Sequence, residues 1–562
     1  MTTGATYTEQ QALARMNAGD PAGAEAALLA ALPSATHRAR IWELIAEARR
    51  LQGYFLEAAD ALAEAGANKS PALALRRIRM LIDAGKPPRA LAALRDLPAA
   101  ARKGFDYHSL RADALRHAGR WKEAAEAARA ALAANPASRN MALILAAGLG
   151  HAGNWAEADR VFDQFTDFAP AIEMKAGALV GSNREADARS LLAGALQRFP
   201  ADAALHRALA MIDWMAGERG RFADRLKAAA DARPGDLALG FAAADLLRRA
   251  ERHEEALARL VTLKAITPSP AIDSAAAIVL SSLGRHEEAA NRARSSAAQM
   301  PRTDWIRRNA ACVLLSAGDA DGAAVHTSWG LALDPLDQEW IAIDAVARRA
   351  AGDPAYRRAY DYERFVLPFD IDPPEGFETT ELFLSALANR LRELHAFSNH
   401  PLDQSLRGGS QLQLNPDIPQ DPLVEKLFRA LKGPIDAYLA AIGHDPDHPY
   451  LALNRKRWRM QGCWSVRLVR GGSHVNHIHP EGWVSSAFYV VVPPSVREGS
   501  NSQDGWITFG APYFPVAGIT PEHAVCPKPG RLVLFPSYMW HGVNAFPDDA
   551  ERISVAFDLV PE

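Results

Sequence analysis

Cysteine is scarce: Cys312, Cys463 and Cys526 are the only three in 562 residues, and none forms a Cys-x-x-Cys pair. That rules out a disulfide framework and suits a reducing compartment. Long apolar runs are missing too. No stretch approaches the roughly 18 residues that read as a membrane-spanning helix. The first ten residues lack the basic start and apolar core of a secretory leader, so a cytoplasmic location is expected. Charge of one sign is also absent. The 63 Lys and Arg nearly balance 66 Asp and Glu, leaving a net −3 without basic runs. This argues against a nucleic-acid partner. What is present, 49% apolar and 23% charged residues, is ordinary for a globular protein. A chain this long divides into more than one core.

The first 350 residues repeat. Glycines at the foot of an Ala- and Leu-rich helical pattern fall at Gly19, Gly53, Gly85, Gly119 and Gly153, then at Gly217, Gly284, Gly318 and Gly352. Asn183 and Glu251 hold the same slot between them. Prolines keep time at Pro136, Pro170, Pro200, Pro234, Pro268, Pro301 and Pro335, and most intervals are 34 residues. Glycine supplies a left-handed turn between two helices, alanine lets them approach, and proline stops the second helix. The period and the Gly, Ala and Pro positions resemble the tetratricopeptide repeat over about residues 5–352. That resemblance implies stacked hairpins with a concave face for a protein or peptide partner. Trp121 and Trp155 read as packing residues within repeats. His253 and His286 read as solvated turn residues with no metal role.

The periodicity stops near Ala355, and an extended, proline-marked segment follows from Phe365. Two amphipathic helices are expected at about Thr379–Ser398 and Pro422–Ile442. The polar segment His400–Gln411 between them reads as a connection, or as a loop folding over a site through Gln404, Arg407 and Gln411. The expected domains are therefore a repeat array over 1–353, a linker and helical lead-in over 354–452, and a β domain over 453–562.

Beyond Arg455 short apolar or alternating segments take over: Cys463–Arg470, Trp483–Val492, Trp506–Phe509, Gly530–Phe535 and Arg552–Val560. Strands without intervening helices argue for an antiparallel sandwich or barrel. Within them lies Gly-Gly-Ser-His-Val-Asn-His-Ile-His-Pro-Glu, Gly471–Glu481. Side chains at i and i+2 of a strand share a face, so His477 and His479 can reach one ion. Glu481 adds a carboxylate if the strand persists past Pro480. A third ligand must come from elsewhere, and His541, after the strand that ends in Leu-Phe-Pro, is the candidate. Three protein ligands leave coordination positions open for substrate. Arg552 opens the last strand with Ser554 and Ala556 on its own face. A buried arginine binds a carboxylate in bidentate fashion, and a serine two residues on adds a hydroxyl. The plain alternatives are a hydrogen-bonded histidine pair, and an ion pair of Arg552 with Glu551 or Asp549.

His477-Ile-His479-Pro-Glu-Gly-Trp-Val-Ser-Ser-Ala-Phe-Tyr, Gly530-Arg-Leu-Val-Leu-Phe-Pro with His541, and Arg552-Ile-Ser-Val-Ala-Phe resemble the Fe(II)/2-oxoglutarate-dependent oxygenases. The likeness is to the branch with a His-x-His-Pro motif. It implies a double-stranded β-helix, or jelly roll, that binds Fe(II), 2-oxoglutarate and O2. By motif position it assigns His477 and His541 to the metal, and Arg552 with Ser554 to the far carboxylate of 2-oxoglutarate. One departure stands out: the family's usual second ligand is an acid two residues after the first, and here that slot holds His479. The ligand set is then His477, His479 and His541, or His479, Glu481 and His541. A cupin would need Glu where Trp483 or Val484 stands, and a zinc hydrolase gives Arg552 no purpose. Trp483, Tyr489 and Trp540 are candidates for the pocket wall or the core. The expected activity is hydroxylation of a protein or peptide recruited by the repeats. The alternatives are a non-catalytic adaptor with a degenerate jelly roll, and a small-molecule hydroxylase whose repeats serve assembly.

Overall fold

In a computed structural model of the chain, the 34-residue beat is a helix hairpin. Helix Gly104–His117 turns into Trp121–Ala134 at Gly119, whose φ is 68°. The amide of Arg120 bonds back to Leu115 O at 2.9 Å and that of Gly119 to Arg116 O at 3.0 Å, which satisfies the last carbonyls of the helix. All nine repeat glycines have positive φ. Ala124, Ala128 and Ala131 are fully buried where the helices touch. The structure describes residues 3–182, 184–395, 402, 404–415, 421–499 and 502–562. Asn183 lies outside them. Glu251 does hold the left-handed turn, with φ 60°, as expected from its slot. The chain divides into two compact units, Met1–Ala188 and Arg189–Glu562. Among the described residues no helix is long and apolar enough to cross a membrane.

In the first unit Trp121 and Trp155 are half-buried and pack against the alanine-rich core. Trp121 stacks on His151 with ring centroids 4.6 Å apart. In the second unit His253 and His286 open helices His253–Ile266 and His286–Gln299. They are half-buried, against the expectation that they are solvated.

The C-terminal part of the second unit is an antiparallel sheet. Its strands are β1 Leu367–Asp370, β2 Leu406–Leu414, β3 Trp458–His477, β4 Val484–Val491, β5 Ile507–Phe509, β6 His523–Val525, β7 Arg531–Pro536, β8 His541–Val543 and β9 Arg552–Pro561. The order is β1-β7-β4-β9-β3-β8-β5-β6, with β2 also on β3. Every pairing is antiparallel. Strand β3 is shared: its first half pairs with β9, and its tip pairs with β8, His477 opposite His541. Gly471, at φ 74°, lies between the two stretches. This is the antiparallel β architecture expected from the strand pattern, and the jelly-roll class that the family resemblance implies, with the helical repeats ahead of it.

The lead-in differs in detail. Its helices are Thr380–Leu394, Pro422–Ala430 and Lys432–Ile442, and the end of the first expected span lies outside the described residues. Part of the His400–Gln411 segment also lies outside them. From Leu406 onward that segment is strand β2 and not a loop, and Arg407 and Gln411 pair with Ser473 and Val466 of β3.

The last repeat helix, Gln338–Ala350, is continuous with the sheet's core, and one cluster of buried apolar side chains runs from Ala290 to Leu559. Trp540 Nε1 donates to Ala342 O at 3.1 Å, and Tyr538 Oη donates to Ala359 O at 2.8 Å. Arg349 donates to Gly510 O at 3.0 Å and Thr520 O at 2.8 Å.

Two predictions follow from the helices. A non-glycine residue in the left-handed region costs roughly 1–2 kcal/mol. Glu251→Gly should therefore stabilise the protein by about 1 kcal/mol, read as a higher Tm. Its exposed ion pair with Arg407, at 3.4 Å, is a small loss by comparison. Burial pushes the imidazoles of His151, His326 and His395 down to about 4. The unfolded chain, with histidine near 6.5, takes up protons first as pH falls. Stability is then full above about 6.5 and declines as pH drops through 6.5 toward 4. In a Tm-against-pH series, His151→Phe should keep the stack on Trp121 and flatten part of that decline.

Candidate metal centre

The strand register brings the histidines together. Strand β3 ends at His477, and Pro480 and Glu481 turn the chain. His479 lies beyond the strand, yet its amide donates to Ser537 O at 2.9 Å and keeps the segment flush with the end of β7. His541 opens β8. The ring centroids of His477 and His541 are 4.2 Å apart, and His479 stands 5.1 Å from each. One nitrogen from each ring lies within 4.8 Å of the others, a spacing that one ion can bridge. Glu481 is exposed in the turn and outside that cluster.

Each ring is also held from behind. His477 Nδ1 lies 2.9 Å from Val475 O, His541 Nδ1 lies 2.9 Å from Met539 O, and His479 Nδ1 lies 2.6 Å from Asp558 Oδ1. All three partners accept only. Nδ1 therefore carries the hydrogen in each ring, and Nε2 is left with a lone pair. His541 is 5% exposed against Phe535 and Phe509, while solvent reaches His477 and His479. Burial and the facing ring of His479 push the His477 imidazole down to about 3. Burial and the same neighbours hold His541 well below the usual histidine range. Three imidazoles, each with Nδ1 held from behind and Nε2 able to face the others, form a donor set for a borderline divalent metal.

Arg552 is 1% exposed. Its guanidinium carbon lies 5.0 Å from the Tyr489 ring centroid, and its Nε has no hydrogen-bond partner among the described residues. The ion pair with Glu551 considered from the sequence does not form, because Glu551 binds Arg392 and Arg467. A buried cation without an acid costs several kcal/mol, about 3–5 when a partner is removed. An anionic ligand would meet that need. Ser554 is buried on the same strand two residues on. Tyr489 thus packs under Arg552. Trp483 and Trp540 are core residues, with indole nitrogens on Tyr450 O and Ala342 O at 3.0 and 3.1 Å.

Three neighbours, His474, Ser405 and Asp558, were not foreseen. His474 stacks near His477 at 5.9 Å, and Ser405 Oγ sits 3.0 Å from His474 Nδ1 and 3.2 Å from His477 Nε2. Asp558 is the third. Its signal was available: on β9 it has the same parity as Arg552, Ser554 and Ala556.

A helical-repeat array joined to a jelly roll, with three histidines and a buried arginine at one mouth, is the class that this fold and site define. Residues 462–558 match the family described as "Putative 2OG-Fe(II) oxygenase", so the C-terminal domain is a 2-oxoglutarate-dependent dioxygenase domain. No curated protein matches the chain. Among solved structures, a tetratricopeptide repeat protein from Parabacteroides merdae is 20% identical, with a TM-score of 0.36 over 40% of this chain and 92% of that one. Yeast Tom70 is 12% identical, with a TM-score of 0.36 over 65% and 85%. A Pseudomonas putida prolyl-4-hydroxylase is 19% identical, with a TM-score of 0.25 over 36% and 97%.

Replacing Arg552 by Met removes a buried, unpaired charge at similar length. In the absence of ligand this should stabilise the protein by about 1–4 kcal/mol, measured as a higher denaturant midpoint.

Proposed function

We propose that the C-terminal domain holds Fe(II) on His477, His479 and His541, takes 2-oxoglutarate with its far carboxylate on Arg552 and Ser554, and hydroxylates a protein or peptide recruited by the repeats. The observation that carries this reading is the convergence of one nitrogen from each of three rings held from behind at Nδ1, on a sheet that also buries an arginine with no acid partner among the described residues. His479 is preferred to Glu481 because Pro480 turns the chain and leaves Glu481 exposed.

When bound, Fe(II) supplies the O2 chemistry that couples decarboxylation of 2-oxoglutarate to insertion of oxygen into a C–H bond. The residues do the rest. The three rings fix the metal and leave positions open. Arg552 orients the cosubstrate through a bidentate contact that lysine would not reproduce. Phe509 and Phe535 keep water from the back of His541. Recruitment by the repeats rests on what helix-hairpin arrays offer, an extended surface for a peptide. It is favoured by the core that repeat helix Gln338–Ala350 shares with the sheet. The three free cysteines are buried, which favours a reducing, cytoplasmic setting. In functional terms we divide the chain into the array 1–353, the lead-in 354–452 and the oxygenase core 453–562.

The test is succinate formation from 2-oxoglutarate by purified protein with Fe(II), ascorbate and O2. The wild type should turn over, His541→Ala should lose activity at least 100-fold, roughly as for loss of a group that acts on the reacting centre, and Arg552→Ala should lose it with failure to bind 2-oxoglutarate. A wild type that neither forms succinate nor binds 2-oxoglutarate by calorimetry when metal-loaded would sink the reading.

A further inference from the structure

We infer that Asp558 is the anionic partner of the metal centre: through His479 it supplies from behind the negative charge that three neutral imidazoles do not bring. The inference rests on the metal reading above and assigns a positioning residue to it.

The three histidines are held alike in geometry but not in charge. His477 and His541 each place Nδ1 on the carbonyl of the residue two positions earlier, Val475 and Met539. These are local, neutral acceptors. His479 instead places Nδ1 on a carboxylate from strand β9, 79 residues away and 2.6 Å distant. A carbonyl would have sufficed to fix the tautomer, as it does twice in the same site. The carboxylate does more. It draws the Nδ1 hydrogen toward itself, raises the basicity of Nε2, and puts a full negative charge one ring away from the ion. His479 occupies the slot in which an acid would bind the metal directly. The charge has moved outward by one imidazole and is still delivered at that slot.

The surroundings are built for this contact. Among the described residues, the one ion pair of Asp558 is with His479, so no arginine or lysine there neutralises it. Ser485 Oγ donates to Asp558 Oδ1 at 2.7 Å and lies 2.9 Å from Ser537 Oγ, and both serines are fully buried. Over the carboxylate lies the turn that follows His479. A Cβ at Gly482 would stand 2.5 Å from Ser537 Oγ and 3.1 Å from Asp558 Cγ. Glycine there lets the turn close on the acid. Strand β9 then carries both charges the site uses, Arg552 at its start and Asp558 near its end.

The test is anaerobic Fe(II) titration of the full-length chain by calorimetry, with the Fe(III)/Fe(II) midpoint potential measured on the same samples. Asp558→Asn keeps an acceptor for Nδ1–H and removes the charge. It should weaken Fe(II) binding about 10–100-fold and raise the midpoint potential, since a nearby anion favours Fe(III). Ser485→Ala keeps the charge and strips one donor from it, so it should shift the potential the opposite way. Fe(II) affinity within about twofold of wild type, with an unchanged potential, would overturn the proposal and leave Asp558 a purely geometric support. If Asp558→Asn fails to fold, Ser485→Ala decides alone, and an unchanged potential overturns the proposal. A wild type that takes up no Fe(II) would overturn the metal reading itself, a separate and recognisable failure.

Discussion

One strand serves two halves of the sheet, and the site depends on that constraint. Strand β3 pairs with β9 until Leu468 meets Arg552, and then pairs with β8 where His477 meets His541. Between them Gly471 and the register shift after His474 redirect the chain. The backbone ladder therefore sets the spacing between the buried arginine and the histidines before any side chain is placed. Hydrogen-bonded register is hard to slip where one face is buried, so His477 and His541 are held by paired strands, while His479 is fixed by its amide bond to Ser537 O.

The histidine that comes from farthest away has a second tether. Trp540, Tyr538 and Tyr360 lock the segment before His541 to residues 342 and 359. Arg349 ties the loop around Gly510 and Thr520 to the same helix. The last repeat helix is thus part of the wall behind the candidate metal centre, and not only a platform ahead of it.

The sequence made the repeats legible because a left-handed turn accepts few residues, so glycine marks it. Even the exception, Glu251, adopts the conformation its slot demands. Spacing and residue chemistry single out His477, His479, His541 and Arg552 as candidates, and the structure brings the three histidines together. His474 was not. It lies an odd number of residues before His477, which on a regular strand means the opposite face; the register shift cancels that parity. Strand β2 was hidden by Gly408 and Gly409, which read as loop residues but sit at its irregular register with β3. Strands β6 and β8 are three residues each, too short for alternation to show. Asp558 was visible by parity and escaped because acids near a strand's end so often face water.

The uninterrupted core from Ala290 to Leu559 has a consequence for synthesis. Ribosomes deliver the chain N-terminus first, at about 5–20 residues per second. The apolar side of helix Gln338–Ala350 therefore emerges many seconds before Trp540 and the sheet exist to cover it. During that interval the nascent repeats carry a sticky, unfinished face. The oxygenase fold is then completed against a surface already waiting for it, so the order of translation is also the order of templating.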